Sequence, residues 1–294
     1  MDWIVPFGST GLEVSRIGLG AGQVGSSSLD DAEAGKLLNA VIDSGVTLID
    51  TARGYGLSEE RIGTYISHQR SEFVLSTKIG YGVDGFENWT PEIIEAGIDR
   101  ALKLMNTDVL DIVHLHSCPL DTLRNSGVAE ALVKAKENGK IQVAAYSGEN
   151  DELEWAVEST LFGSVETSVS ICDQLSLRQY LPTASEKGLG VIAKRPIANA
   201  PWRFAERPVG DYAEEYWVRL QAMDIDPGDL PWQELAVRFS AYAPGVCSAI
   251  VGTGNLNHFL SNVELARKGP LPAELIERIL QAYDRENQGW TGQI

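Results

Sequence analysis

Short apolar runs rich in β-branched residues alternate along this chain with amphipathic stretches that carry helix-start signals. The runs Ile17 to Gly20, Val46 to Asp50, Phe73 to Lys78, Asp111 to His116, Ile141 to Tyr146, Ser164 to Val169, Gly190 to Lys194 and Ser248 to Val251 predict eight strands. After the first run, Ser28 with Asp31 three residues on reads as a capping box, and a helix is predicted to about Asp43, stopped before Gly45. Thr90 followed by Pro91 marks another start, because proline at the first helical position lacks only an N–H that had no partner there. Ile94, Ile98, Ala101 and Met105 give that helix its apolar stripe, and Asn138-Gly139 closes the helix before the fifth strand.

Eight strand-then-helix units without a Pro/Gly/Ser-rich linker predict one α/β domain over residues 1–294. Closure into a (β/α)8 TIM barrel is the economical topology, and an open doubly wound sheet is the alternative. Two segments fall outside the repeat. Residues before Gly11 read as an N-terminal β-hairpin, and Asn199 to Pro231 is an insertion after the seventh strand, at the barrel end where insertions shape active sites. Gly20-Ala21-Gly22-Gln23-Val24-Gly25 matches the G-x-G-x-x-G pattern of a Rossmann-type NAD dehydrogenase. In that fold the glycines open a helix directly, whereas here Ser26, Ser27 and Ser28 intervene before the helix signal, which favours the barrel.

A formal charge of −17 argues against duplex binding, because phosphate neutralisation needs clustered Lys and Arg. Cys118, Cys172 and Cys247 are too few and too scattered for a disulfide framework, so a reducing cytoplasmic setting is expected. The start MDWIVPFGSTG has neither a basic nor an apolar leader region, and no apolar stretch approaches the ~18 residues of a spanning helix, so neither secretion nor a membrane partner is expected.

In a barrel, chemistry collects where strands end. Asp50 ends the second run, Tyr55 lies just beyond it, Lys78 ends the third and His116 the fourth. Singly, each reads as a cap, a loop anchor, a solvated charge or a core histidine. Together they form a proton-transfer site. An ammonium beside the phenol pulls tyrosine below its free pKa of ~10, Asp50 holds that ammonium in place, and a neutral imidazole orients the carbonyl oxygen that the phenol protonates. Such a set suits a reductase.

The segments DTARGYGLSEERIG from Asp50, STKIG from Ser76 and DIVHLH into SCP from Asp111 resemble the motifs of the aldo-keto reductase superfamily. GSTGLEVSRIGLGAG near the start and GTGNLNHFLSNV near the end extend the resemblance over nearly the whole chain. It implies NADP(H) or NAD(H) as cofactor and a small-molecule carbonyl or alcohol substrate, with Asp50, Tyr55, Lys78 and His116 as catalytic residues. It also implies a cofactor site drawn from Gly20, Ala21, Gly22, Ser147, Glu166, Lys194, Arg195, Pro196, Thr253, Asn255, His258 and Asn262. The chain departs from the family's usual pattern in three places. Gly148 stands where Asn is usual, Glu166 where Gln is usual, and Lys194-Arg195-Pro196 where a tyrosine often stacks on nicotinamide. Glu166 accepts hydrogen bonds but cannot donate them when ionised. Thr253 and Asn255 read equally as helix caps.

Tyr81, Trp89 and Trp202, with Phe86, Phe204 and Trp290, are aromatics that could wall a substrate pocket or form loop cores. Arg53 reads as a substrate contact or the partner of a surface acid, the pairing being favoured in so acidic a chain, and Cys118 as lining for the cavity in preference to a reactive thiol. His114, two residues from His116, shares its strand face, but zinc needs a third protein ligand, and His68 and His258 lie on other units, so no metal is expected. The expected function is NAD(P)H-dependent reduction of an aldehyde or ketone, or oxidation of the alcohol. A cofactor-sensing regulatory barrel and the Rossmann dehydrogenase are the alternatives.

Overall fold

The computed structural model describes residues 2–294. A two-stranded antiparallel hairpin, β1 (Ile4–Pro6) and β2 (Glu13–Ser15), precedes eight parallel strands. These are β3 (Ile17–Gly20), β4 (Leu48–Asp50), β5 (Val74–Ile79), β6 (Leu110–His116), β7 (Ile141–Ser147), β8 (Ser164–Ser168), β9 (Gly190–Lys194) and β10 (Ser248–Gly252). They pair in chain order, and β10 pairs back onto β3 through Ala249↔Ile17 and Gly252↔Gly20, closing the barrel. Closure excludes the open doubly wound sheet. The glycine pattern after β3 leads into one short 3-10 turn, Gln23–Gly25, and the first α-helix, Asp31–Asp43, starts well beyond it.

Alternation along the strands sorts side chains into two cores. Outward residues such as Ile49, Leu75, Val113, Leu115 and Val165 pack under the helices. Inward residues Leu48, Val74, Ile112, Val143, Ile192 and Ile250 form an apolar plug in the lower half of the barrel, sealed by Phe7 from the hairpin. Burying Phe7 fully contributes about 1.5–3 kcal/mol. Its seat requires Gly190, where any Cβ would come within 2.4 Å of the Phe7 ring. Two residues further along β4, β5, β6 and β9 the inward positions turn polar, as Asp50, Ser76, His114 and Lys194, and on β7 the change comes four residues on, at Ser147. Apolar filling at one end and polar side chains at the other define which end carries chemistry.

Two local expectations change. The first helix is capped by Asp30, whose carboxylate accepts from Ala32 N at 2.8 Å and Glu33 N at 3.4 Å, while Ser28 bonds Ser26 instead. The hairpin's second strand follows Gly11, because the turn closes through Phe7 N to Leu12 O at 2.8 Å. Thr90 caps the helix Pro91–Leu104 as the sequence indicates. The 199–231 insertion folds as a 3-10 turn at Pro201–Arg203 and a helix at Glu214–Met223, packed on a second apolar cluster with Leu235, Phe239 and Ile279.

Candidate active site

Asp50, Lys78 and His116 end neighbouring strands β4, β5 and β6, and Tyr55 stands in the loop after β4, so barrel geometry brings all four to one mouth. The Tyr55 loop is fixed from beneath by Gly25. A Cβ there would fall 1.6 Å from the Tyr55 carbonyl oxygen, so only glycine lets the two backbones meet. Leu57 N donates to Gly25 O at 3.0 Å, and Ser58 Oγ donates to Ala21 O at 2.9 Å. The run Gly20 to Gly25 therefore builds the floor under the tyrosine.

Lys78 is fully buried, and its ammonium donates to Asp50 Oδ2 and, at 3.2 Å, to Thr51 O. The same ammonium lies 5.1 Å from the Tyr55 ring centroid. Ser76 Oγ donates to the other Asp50 oxygen at 2.8 Å. Glu166, on β8 and equally buried, places Oε1 3.3 Å from Lys78 Nζ. This second carboxylate on one lysine was invisible in the sequence, because β8 stands across the closed barrel from β4.

Charge balance follows from that geometry. Burial first, then the Glu166 charge, raises the Asp50 carboxyl to about 7 against the pull of Lys78. For Glu166, burial acts upward, but Lys78 and His114 hold the carboxyl down at about 2. The two titrate as a pair around one ammonium. Tyr55 corrects the sequence reading. Lys78 lowers its pKa, but burial, Asp50 and Glu166 outweigh that pull, and the phenol stays above the ordinary tyrosine value. Tyr55 therefore carries its proton at neutral pH.

His116 is neutral, since burial and then Lys78 lower it to about 3. Its Nδ1 lies 2.8 Å from the Tyr81 hydroxyl, Tyr81 stacks on the ring at 5.5 Å, and Tyr55 meets it edge-on at 5.9 Å. With Tyr81 as donor, the imidazole keeps its proton on Nε2 and can offer it to a substrate oxygen. Tyr81 is thus a partner of His116. Trp89 meets Tyr81 edge-on at 5.8 Å. Trp202 instead stacks on Trp232 at 6.0 Å in the second apolar cluster, which removes it from this aromatic group. Arg53 donates to the Gly82 carbonyl, tying the Tyr55 loop to the loop after β5 rather than to an acid. Cys118 is buried among core side chains and does not line the cavity.

Asp50, His114 and Glu166 offer ligand atoms within 4.8 Å of one another. Lys78 Nζ already supplies a cation between the two carboxylates of this trio, and His114 beside them is neutral, lowered by burial to about 4.

The remaining sequence-derived positions divide. Ser147 and Glu166 are register partners at the mouth, and Ser147 Oγ and Glu166 Oε2 are buried without hydrogen-bond partners. A hydroxyl and a carboxylate buried side by side without partners match in kind the carbonyl and amine of a primary carboxamide. At Gly148 a Cβ would come within 2.3 Å of Tyr146 Oη, so a larger residue there requires the Tyr146 ring to shift. Lys194 lies 3.2 Å from Glu149, and Arg195 donates to Ser168 Oγ at 3.2 Å and to Gln293 O. Arg195, Ala198, Asn199 and Ala200 all take positive φ, a concentration of backbone strain typical of functional loops. Pro196 O accepts from Ser240 Oγ. Thr253 and Asn255 act as local caps: Thr253 Oγ1 accepts from Asn255 N, and Asn255 Oδ1 accepts from His258 N at 3.1 Å. Asn262 Nδ2 donates to His258 O. Gly20, Ala21 and Gly22 end β3 at the same mouth, Gly22 facing the Tyr55 ring.

Sequence reasoning missed the last residues of the chain. Thr291 O accepts from buried Arg219 at 2.8 Å, Gly292 N donates to Asn150 at 2.8 Å, and Gln293 N donates to Asp173 at 3.2 Å. A cavity of 280 Å³ beside them is lined by Arg195, Asn199, Tyr212, Tyr216 and Gln293. No periodicity announces such a tail.

Known proteins resemble this chain in sequence and in fold. The profile of the Aldo/keto reductase family matches residues 16–284. D-threo-aldose 1-dehydrogenase from Pseudomonas sp is 27% identical, covering 93% of this chain and 95% of that protein. L-galactose dehydrogenase from Arabidopsis thaliana is 31% identical over 65% of this chain and 64% of that protein. The holo form of an aldo-keto reductase from Bacillus halodurans shares the fold, with a TM-score of 0.82 over 95% of both chains at 24% identity. No helix among the described residues is long and apolar enough to cross a membrane.

Proposed function

The chain belongs to the aldo/keto reductase family and is an oxidoreductase of that family, and from this premise we propose that it reduces a small aldehyde or ketone with NAD(P)H, Tyr55 donating the proton. The observation that carries the reading is the convergence of Asp50, Tyr55, Lys78 and His116 at one mouth. Ser147 and Glu166 fit the carboxamide of a nicotinamide, and Arg195 and Lys194 supply cationic reach toward its phosphates. A cofactor bound there supplies hydride to the carbonyl carbon.

The chain's own residues handle the proton. Tyr55 stays protonated at neutral pH, so it serves as the acid when the carbonyl oxygen takes on negative charge. Lys78 then stabilises the phenolate, and Asp50 keeps that ammonium in register. Neutral His116 donates from Nε2 to the same oxygen, with Tyr81 fixing the tautomer. Two relatives are named as sugar dehydrogenases, so aldoses belong in the substrate panel beside simple aldehydes and ketones.

The test is titration of the purified chain with NADPH and NADH, followed by that panel, monitored by loss of reduced nicotinamide absorbance, and for the aldoses also with NADP+ and NAD+, monitored by its gain. Tyr55→Phe keeps the ring and loses only the proton donor, so it retains cofactor affinity and loses about 10²- to 10⁴-fold in turnover. Unchanged turnover removes Tyr55 from the mechanism.

A further inference from the structure

One buried ammonium here serves two buried carboxylates. Asp50 holds Lys78 Nζ from β4, and Glu166 reaches it from β8, the strand diametrically across the closed barrel. One carboxylate suffices to keep a buried lysine charged. The second leaves the set one negative charge in excess once both carboxyls are ionised. The other cations nearby are committed elsewhere or act only at longer range, Lys194 among them, which adds to the pull of Lys78 on the Glu166 carboxyl. His114 and His116 on β6 are neutral, Lys194 on β9 is 3.2 Å from Glu149, and Arg53 donates to Gly82 O. Tyr55 and Tyr81 remain protonated phenols. Glu166 Oε2 meanwhile has no hydrogen-bond partner and lies 3.8 Å from neutral His114 Nε2.

We propose that Glu166 is a specificity-determining residue that selects a cationic ring over a neutral one, so that the site binds the oxidised nicotinamide more tightly than the reduced form. The inference rests on the cofactor reading above and deepens it. In a mouth with an effective dielectric near 20, one unit charge several ångströms from another changes affinity about tenfold or more. A glutamine at this position would supply hydrogen bonds but no such discrimination. The consequence for turnover is that hydride transfer from cofactor to carbonyl is favoured within the bound complex, since it creates the ring charge that Glu166 attracts.

Proton linkage gives the selection a signature. Burial and the Glu166 charge raise Asp50 to about 7, so the pair holds an extra proton below neutrality and surrenders it above. A cationic ring favours the deprotonated pair, and a neutral ring is nearly indifferent.

The experiment is calorimetric measurement of Kd for NADP+, NADPH, NAD+ and NADH from about pH 6 to 8.5, in wild type, Glu166→Gln and Glu166→Asp. In the wild type, the preference for the oxidised form grows as pH rises through about 7. Glu166→Gln moves the oxidised-to-reduced affinity ratio about tenfold toward the reduced form and flattens its pH dependence. Glu166→Asp, which keeps the charge, retains the wild-type ratio, and its loss there counts against the charge argument. An unchanged ratio in a Glu166→Gln protein with native circular dichroism overturns the role of Glu166 and leaves the reductase reading intact. If no nucleotide binds to the wild type, both fall together.

Discussion

Replacing Lys78 by Met tests the central electrostatic argument, because Met keeps much of the apolar stem and removes only the charge. The ammonium and both carboxylates are each about 1% exposed, so the variant strands two like charges in the barrel with no cation between them. Breaking a buried pair by removing one partner costs about 3–5 kcal/mol. That cost depends on pH in a definite direction. Without Lys78, both carboxyls have folded pKa values above their unfolded ones, so the stability they retain is present in acid and lost as pH rises through the folded values. In the wild type only Asp50 behaves this way, up to about 7, whereas Glu166, held at about 2, contributes stability that persists far into acid. The gap between variant and wild type is therefore widest near pH 8 and narrows toward about pH 5. Urea unfolding of both proteins at the two pH values measures it. Equal losses at both, or a loss under about 1 kcal/mol at pH 8, refute the charge balance described for this site.

Two further outcomes follow from the same geometry. Tyr81→Phe removes the hydroxyl 2.8 Å from His116 Nδ1 while keeping the stacked ring, so kcat falls about tenfold and cofactor Kd is unchanged; steady-state kinetics with cofactor titration check this, and equal kcat shows that Tyr81 does not set the imidazole tautomer. Gly25→Ala drives a methyl group into the Tyr55 carbonyl and must displace that loop, so turnover drops about 10²-fold although residue 25 is remote from the substrate; a crystal structure or kinetics showing Tyr55 undisturbed sinks that assignment.

Most of the barrel was legible because strands buried on both faces read as continuous β-branched runs, and their ends locate the mouth. Ile17–Gly20 and Gly190–Lys194 match the sequence boundaries, while β4 starts at Leu48 rather than Val46. The cap at Asp30 was missed because Ser28 offers the same local chemistry, and only the folded loop decides between them. Within the site, Asp50, Tyr55, Lys78 and His116 were readable from their positions beside strand ends. The Lys78 to Glu166 contact was not, because it crosses the barrel and exists only once the sheet closes. For Trp202 the sequence left pocket wall and loop core both open, because an irregular insertion has no periodicity to say which way an aromatic faces, and it packs on Trp232. The sign of the Tyr55 shift was also beyond reach, since it depends first on burial and then on Asp50 and Glu166 together outweighing Lys78.

The seam between β3 and β10 bears on how the chain is made. Ile17 pairs with Ala249, so the first barrel strand gains its second neighbour only after more than four-fifths of the polypeptide has been synthesised. Until then, β3 and whichever strand has most recently emerged both present unpaired backbone edges, the surfaces on which one chain adheres to another. At about 5–20 residues per second, that interval lasts on the order of ten seconds or more. Over that interval the acidic surface of the growing chain is itself protective, since nascent copies of one sequence carry the same sign of charge and repel one another before the ring shuts.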